Sequence, residues 1–152
     1  MALPEEASDD AEAEPAGTME MLLVRVAEAR DDEVSLFAVF DSYDEALHQI
    51  YHALFNRNEQ IRSSLGMNPF VHEVLLVRSL RMKPRWQGIN LGAQAIQTAA
   101  STLVTMGLVV ADADLPLSLD DWLNLGFVKI ARHKGFYVRE RTKKNRYGRA
   151  VL

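Results

Sequence analysis

The run Lys83-Pro84-Arg85-Trp86-Gln87-Gly88-Ile89-Asn90-Leu91-Gly92 separates two segments of different periodicity, and its reading decides the fold. Before it, Val71 to Met82 has the β-branched and apolar content of a buried strand, and Pro84 cannot continue a ladder because it lacks an N–H. After it, Ile89, Ala93, Ile96, Ala100, Leu103 and Val104 form one apolar stripe at helical spacing, with Gln94, Gln97 and Ser101 on the other side. A strand, a glycine-bearing turn and a helix in that order make a place for an anion. Backbone N–H groups and the positive end of the helix dipole point at it, and glycine lets it approach the main chain. An ordinary strand-to-helix turn carries the same glycines, so they do not choose between the two readings.

Downstream, Met106 to Ala111 reads as the next strand. Ser118, with Asp121 three residues on, caps a short helix that ends at Leu125-Gly126-Phe127. Val128 to Ile130 and Phe136 to Val138 follow as two closing strands around Lys134-Gly135. Upstream, Met21 to Val26 is a short β-like run. Val34, Leu36, Ala38 and Phe40 alternate with other residues, and Asp31-Asp32 marks a turn, so a hairpin is expected to open the domain. Ser42 and Glu45 have the spacing of a capping box, and Ala46, Leu47, Ile50, Leu54 and Ile61 continue at helical spacing as far as Gly66, as one helix either continuous or broken near Asn56 to Asn58.

The 152 residues suit one domain, and 48% hydrophobic content supplies its core. Residues 1–18 are rich in Ala, Glu, Asp and Pro without apolar periodicity, which predicts a disordered acidic tail before a domain at 19–142 and a basic extension at 143–152. Six of the 21 acids, and no base, precede residue 19; the remainder holds 15 acids against 17 bases. The absence of cysteine excludes disulfides, thiolate zinc sites and a cysteine nucleophile. With no basic leader and no membrane-length apolar run, a cytoplasmic protein is expected.

Taken together, Val71 to Arg139 resembles the GNAT superfamily of N-acetyltransferases. Gln87, Asn90 and Gly92 fall on that family's Gln/Arg-x-x-Gly-x-Gly/Ala loop, and Leu125-Gly126-Phe127 falls on its later helix-to-strand triplet. The resemblance implies an α/β fold of the α+β type, with a mixed, mostly antiparallel central sheet flanked by helices. It implies an acetyl-CoA-dependent N-acyltransferase acting on a primary amine, a small molecule or a peptide, by direct transfer. Leu80 and Met82 would line the pantetheine arm, and Gln87, Gly88, Ile89, Asn90, Leu91 and Gly92 would hold the coenzyme A pyrophosphate. Asn90 replaces the first glycine of the pattern, and asparagine is the residue that best tolerates glycine-like angles.

The chain also departs from the family. Trp122 stands where members commonly place a tyrosine as general acid, and indole has no proton to give at neutral pH. Glu73, the only acid on the strand before the loop, is the candidate base, weighed against a surface salt bridge. Tyr137 is the candidate acid, weighed against simple packing. These departures keep a second function open: a catalytically reduced GNAT-like module that binds coenzyme A or a macromolecular partner. His48 and His52 have two-ligand spacing, but no third ligand follows and no metal is expected. The basic C-terminal run with Tyr137 and Tyr147 raises nucleic acid as a third reading, without a recognised binding motif to support it. A homodimer is compatible with the sequence.

Overall fold

The computed structural model describes residues 14–88, 90–130 and 133–142. Along them run β1 (Gly17–Arg25), α1 (Val26–Asp31), α2 (Leu36–Asp41), α3 (Glu45–Leu54), β2 (Glu73–Met82), α4 (Leu91–Leu103), β3 (Met106–Asp112), α5 (Leu119–Asn124), β4 (Val128–Ile130) and β5 (His133–Thr142). The strands form one sheet in the order β1-β2-β3-β5-β4, in which only β2 and β3 are parallel. This is a mixed α/β architecture with a mostly antiparallel sheet between helices, as the resemblance implies. None of the described helices is long and apolar enough to cross a membrane. The acidic residues before Glu14 and the basic extension 143–152 lie outside the described residues.

Two apolar layers hold the sheet. On one face, Val74, Leu76, Leu108, Val110 and Val138 pack with Leu36, Phe40, Leu47 and Leu54 of α2 and α3. On the other, Leu75, Val77, Val109 and Ala111 pack with Ile96 and Ala100 of α4 and Trp122 of α5. Burial of both faces explains why the central strands read as continuous apolar runs instead of alternating ones. Gly107 is where β3 meets the start of β2; a Cβ there would overlap the Glu73 carbonyl.

β2 changes parity in mid-strand. Leu75 and Val77 face α4, and so do Leu80 and Met82, which strict alternation would put on the opposite face. The cause is a one-residue bulge: Met21 of β1 pairs with Val77 and Glu20 with Ser79, leaving Arg78 unpaired in the ladder. Arg78 turns to the α3 side and donates to Asp44. Asp44 is also the N-cap of α3, accepting from the Leu47 amide at 3.0 Å.

The N-terminal half corrects the hairpin expectation. Residues 34–40 do not form a second strand; Leu36 and Phe40, four apart, are the buried pair of helix α2, while Val34 and Ala38 are exposed. Ser35 caps that helix through the Ala38 amide. Seven residues are too few for period 2 and period 3.6 to be told apart. The expected capping box also shifts: Ser42 ends α2, with its hydroxyl on the Val39 carbonyl, and Asp44 begins α3. α3 stops at Leu54, beside the break expected near Asn56 to Asn58, where Asn56 Oδ1 gathers the amides of Asn58 and Gln60 into a turn; the helix does not resume toward Gly66. The expected tail gives way to strand at Gly17, two residues before Met19. β5 begins at His133, so Gly135 lies inside a strand and not in the closing turn.

Asp44 links helix start, bulge and sheet, so its charge should be visible in stability. The Leu47 amide, aided by Arg78 and opposed by burial, holds its carboxyl below the ordinary range. Its stabilisation is therefore present above the unfolded-state value and is lost as pH falls through the lower folded value. Asp44→Ala is expected to cost about 1 kcal/mol in denaturant melts at neutral pH. Asp44→Asn should cost less and flatten the acid limb of the stability profile; an unchanged acid limb would show that Asp44 is not linked to folding.

Candidate functional site

The parallel pairing of β2 with β3 runs from Glu73 opposite Gly107 to Val77 opposite Ala111 and stops there. β2 continues to Met82 beside β1, and β3 continues to Asp112 beside β5. The two strands part at their carboxyl ends, leaving the edge of β2 from Arg78 onward without a strand partner among the described residues. Gaps outside the carboxyl ends of parallel strands are where ligands enter α/β sheets.

The loop Lys83 to Asn90 closes the mouth of this gap. Pro84–Trp86 makes one tight turn, and the Gln87 side chain donates back to the Met82 carbonyl at 3.1 Å, fastening the loop to its strand. Gly88 and Asn90 take left-handed angles, φ 80° and 63°, so Asn90 does stand in for a glycine. Asn90 precedes α4 without capping it through its side chain, whereas Ser35, Asp44 and Ser118 each cap their own helix. The start of α4 thus faces a cavity of about 550 Å³ bounded by Met82, Trp86, Gly88 and Gly92 on one side and Pro116, Leu117 and Ser118 on the other. Ile89 lies outside the described residues.

Charge around the cavity is divided. Its one acidic lining residue, Asp121, is turned to the Ser118 amide in the capping box of α5. The bases are Lys83 and Arg85, and Glu14 bridges them at 2.8 and 3.3 Å. The Arg85 guanidinium lies 4.8 Å from the centre of the Trp86 ring, whose indole N–H is buried and has no partner among the described residues. Sequence reading passed over Lys83, Arg85 and Trp86. The signal available for them was their position inside the loop; the contact from Glu14 carried none.

Leu80 and Met82 lie on the α4 side of the sheet, next to the loop. Gly92 has a further duty: a Cβ there would come within 2.6 Å of Leu80 Cδ2, so its bareness sets how closely α4 lies on β2. Glu73 is at the opposite end of β2, about 30 Å from Met82 at about 3.3 Å per residue. Its carboxylate accepts from the Thr105 hydroxyl at 2.8 Å and the Met106 amide at 3.3 Å, a bond set that ties β2 to the turn before β3. Tyr137 lies beside Ala111, at the level where the strands part. Its ring stacks on Trp122 with centroids 4.3 Å apart and planes 18° apart, and Lys129 Nζ stands 5.6 Å from its centre. Trp122 is buried and also meets Phe127 edge to face, so it is a core residue beneath the gap. His48 is held by Asp41 at 3.0 Å and His52 packs against it edge-on, ring centroids 4.4 Å apart.

No protein-family model matches the chain, and no curated protein sequence matches it. Among solved structures, it is similar to the crystal structure of arylalkylamine N-acetyltransferase 2 from Aedes aegypti, with 19% identity over 74% of this chain and a TM-score of 0.36. The match spans 51% of that chain, about half its length.

Gly92→Ala isolates the packing role of the glycine. The added methyl group should push Leu80 aside and lower stability by about 1 kcal/mol, the lower range for overpacking, despite alanine's better helix propensity. In a Leu80→Ala background the same change should be neutral or stabilising. A double-mutant cycle by chemical denaturation reads the difference, and strict additivity would mean that the two residues do not press on each other.

Proposed function

We propose that this chain is an acetyl-CoA-dependent N-acyltransferase that modifies a primary amine, on a small molecule or a peptide, by direct transfer. The observation that supports the reading is the gap between β2 and β3, which begins at the level of Ala111 and Tyr137 and is faced by the loop and the start of α4. Gln87, Gly88, Asn90, Leu91 and Gly92 are assigned to the pyrophosphate, with Lys83 and Arg85 adding positive charge at the rim. Leu80 and Met82 are assigned to the pantetheine arm. Ile89 keeps the place that the loop pattern gives it.

The bound thioester supplies an activated acyl carbon. The chain's part is to hold it in the gap, where the unpaired β2 edge offers peptide N–H groups to the carbonyl oxygen as negative charge builds on it. With an acyl thioester held there, Tyr137 would be the residue that gives a proton to the departing thiolate and regains one from water, while the attacking amine would lose its own proton to water. Glu73 is left as a structural residue, since its carboxylate is occupied at the far end of β2.

One observation favours the second reading, a catalytically reduced module that binds coenzyme A or a macromolecular partner. Trp122 fills the position of the missing acid with a buried, stacked ring, so that position packs and does not react.

Coenzyme A is expected to raise the melting temperature by mass action, and Gly92→Glu, which adds bulk and negative charge beside the loop, should abolish the shift in a folded variant. Glu14→Gln should lower the half-saturating coenzyme A concentration by up to about fivefold at low salt, an exposed ion pair being worth up to about 1 kcal/mol. That difference should shrink as salt is added. A wild-type protein that shows no shift with coenzyme A would overturn the binding assignment.

Thiol release with a panel of amines separates the two readings. If Tyr137 is the acid, Tyr137→Phe should lower turnover by about a hundredfold or more with melting nearly unchanged, while Trp122→Tyr should lose stability through the cavity it leaves. Turnover that ignores Tyr137→Phe would remove the tyrosine from the mechanism.

A further inference from the structure

On the sheet face away from α4, the last turn of α3, the loop after it and the start of α2 enclose a second cavity of about 610 Å³. Tyr51 and Phe55 are buried in its wall, stacked at 5.3 Å with planes 22° apart. Phe37 stands edge-on to Tyr51 at 5.5 Å and to His52 at 6.1 Å, yet 40% of it is exposed, so a phenyl face is presented instead of buried.

The polar groups converge on the same space. Tyr51 is 5% exposed as a residue, but its hydroxyl is not sealed off and makes no hydrogen bond to the described residues, so it is open to water or to a ligand. Arg62 lines the cavity, and its Nε donates to the His52 carbonyl at 2.8 Å, which fixes the guanidinium plane and leaves its other N–H groups for a second acceptor. Arg57 stands exposed on the rim.

The single acidic lining residue is already in use. Glu59 accepts from the Ser35 hydroxyl at 2.8 Å and the Phe37 amide at 3.0 Å. Burial would raise its carboxyl, but those two bonds prevail and hold it below the ordinary range. The Tyr51 hydroxyl is pushed up, first by burial and then by Glu59, with Arg62 acting against them, which places it within the field of both charges. An accessible hydroxyl and a guanidinium held by one of its N–H groups, beside an exposed aromatic face and with two arginines against one glutamate among the described lining residues, suit an anion with a flat body.

We propose that this cavity binds a small carboxylate carrying a planar ring, the carboxylate accepting from the Tyr51 hydroxyl and the Arg62 guanidinium while the ring lies against Phe37. The site is separate from the gap between β2 and β3, so it stands whether or not the chain transfers an acyl group.

Titration of the full chain with phenylacetate, followed by saturation-transfer NMR and calorimetry, tests it. Phenylacetate should bind saturably, and acetate and the uncharged 2-phenylethanol should bind at least about tenfold more weakly, the loss expected for a hydrogen bond to a charged group. Tyr51→Phe keeps the packing ring and should weaken phenylacetate about tenfold, and Arg62→Gln should do the same or more. Arg62→Gln also removes a bond to the α3 backbone, so each variant is melted first; Arg57→Ser, on the exposed rim, should weaken binding with no stability change. Absence of saturable binding, equal binding of 2-phenylethanol, or folded variants that bind like the wild type would each overturn the site.

Discussion

Arg78 has no place in the β1–β2 ladder, and much of the fold's working geometry follows from that single unpaired residue. A strand without the bulge would turn Leu80 and Met82 toward α2 and α3 and leave polar or charged Ser79 and Arg81 against α4. The bulge reverses this and places apolar side chains under the loop. It also falls at the point where parallel pairing with β3 ends, so one irregularity both re-aims the strand and begins the parting of the sheet. The Arg78 guanidinium is held by the carboxylate that starts α3, which couples the helices on one face to the gap that opens toward the other.

Parts of this were readable from residues alone because their causes are local. Strands β2 and β3 announce themselves as apolar runs, α4 by its stripe, and α5 by the Ser118–Asp121 box, whose two bonds involve residues three apart. Asn90 in a glycine position is equally local. The helix α2 was not readable in that way: its buried pair, Leu36 and Phe40, satisfies both periodicities, and only the shared core with α3 selects the helix. The bulge left a faint trace, two adjacent non-apolar residues, Arg78 and Ser79, between Val77 and Leu80. The role of Gly92 against Leu80 and the span from Glu14 to Lys83 and Arg85 depend on contacts distant in sequence, which no periodicity records.

The site residues divide by the same logic. Loop positions Gln87 to Gly92 were singled out by a short local pattern. Glu73 could be placed near the start of its strand, away from the loop, but the height of Tyr137 against it depends on register: one lies at the closed end of the β2–β3 pair and the other where the pair opens. Trp122 shows the reverse case, a residue whose chemistry excluded it from proton transfer before its burial was known.

The two tryptophans of the chain occupy contrasting surroundings on either side of this gap. Trp86 is half-buried at the cavity rim under an arginine, and Trp122 is sealed in the core against a tyrosine ring. Indole emission follows the polarity and neighbouring rings of its site, so the protein carries two built-in optical reporters of different events. Trp86 emission should respond to any change at the loop, whereas that of Trp122, fixed against Tyr137 in the core, should hold steady until the core itself comes apart.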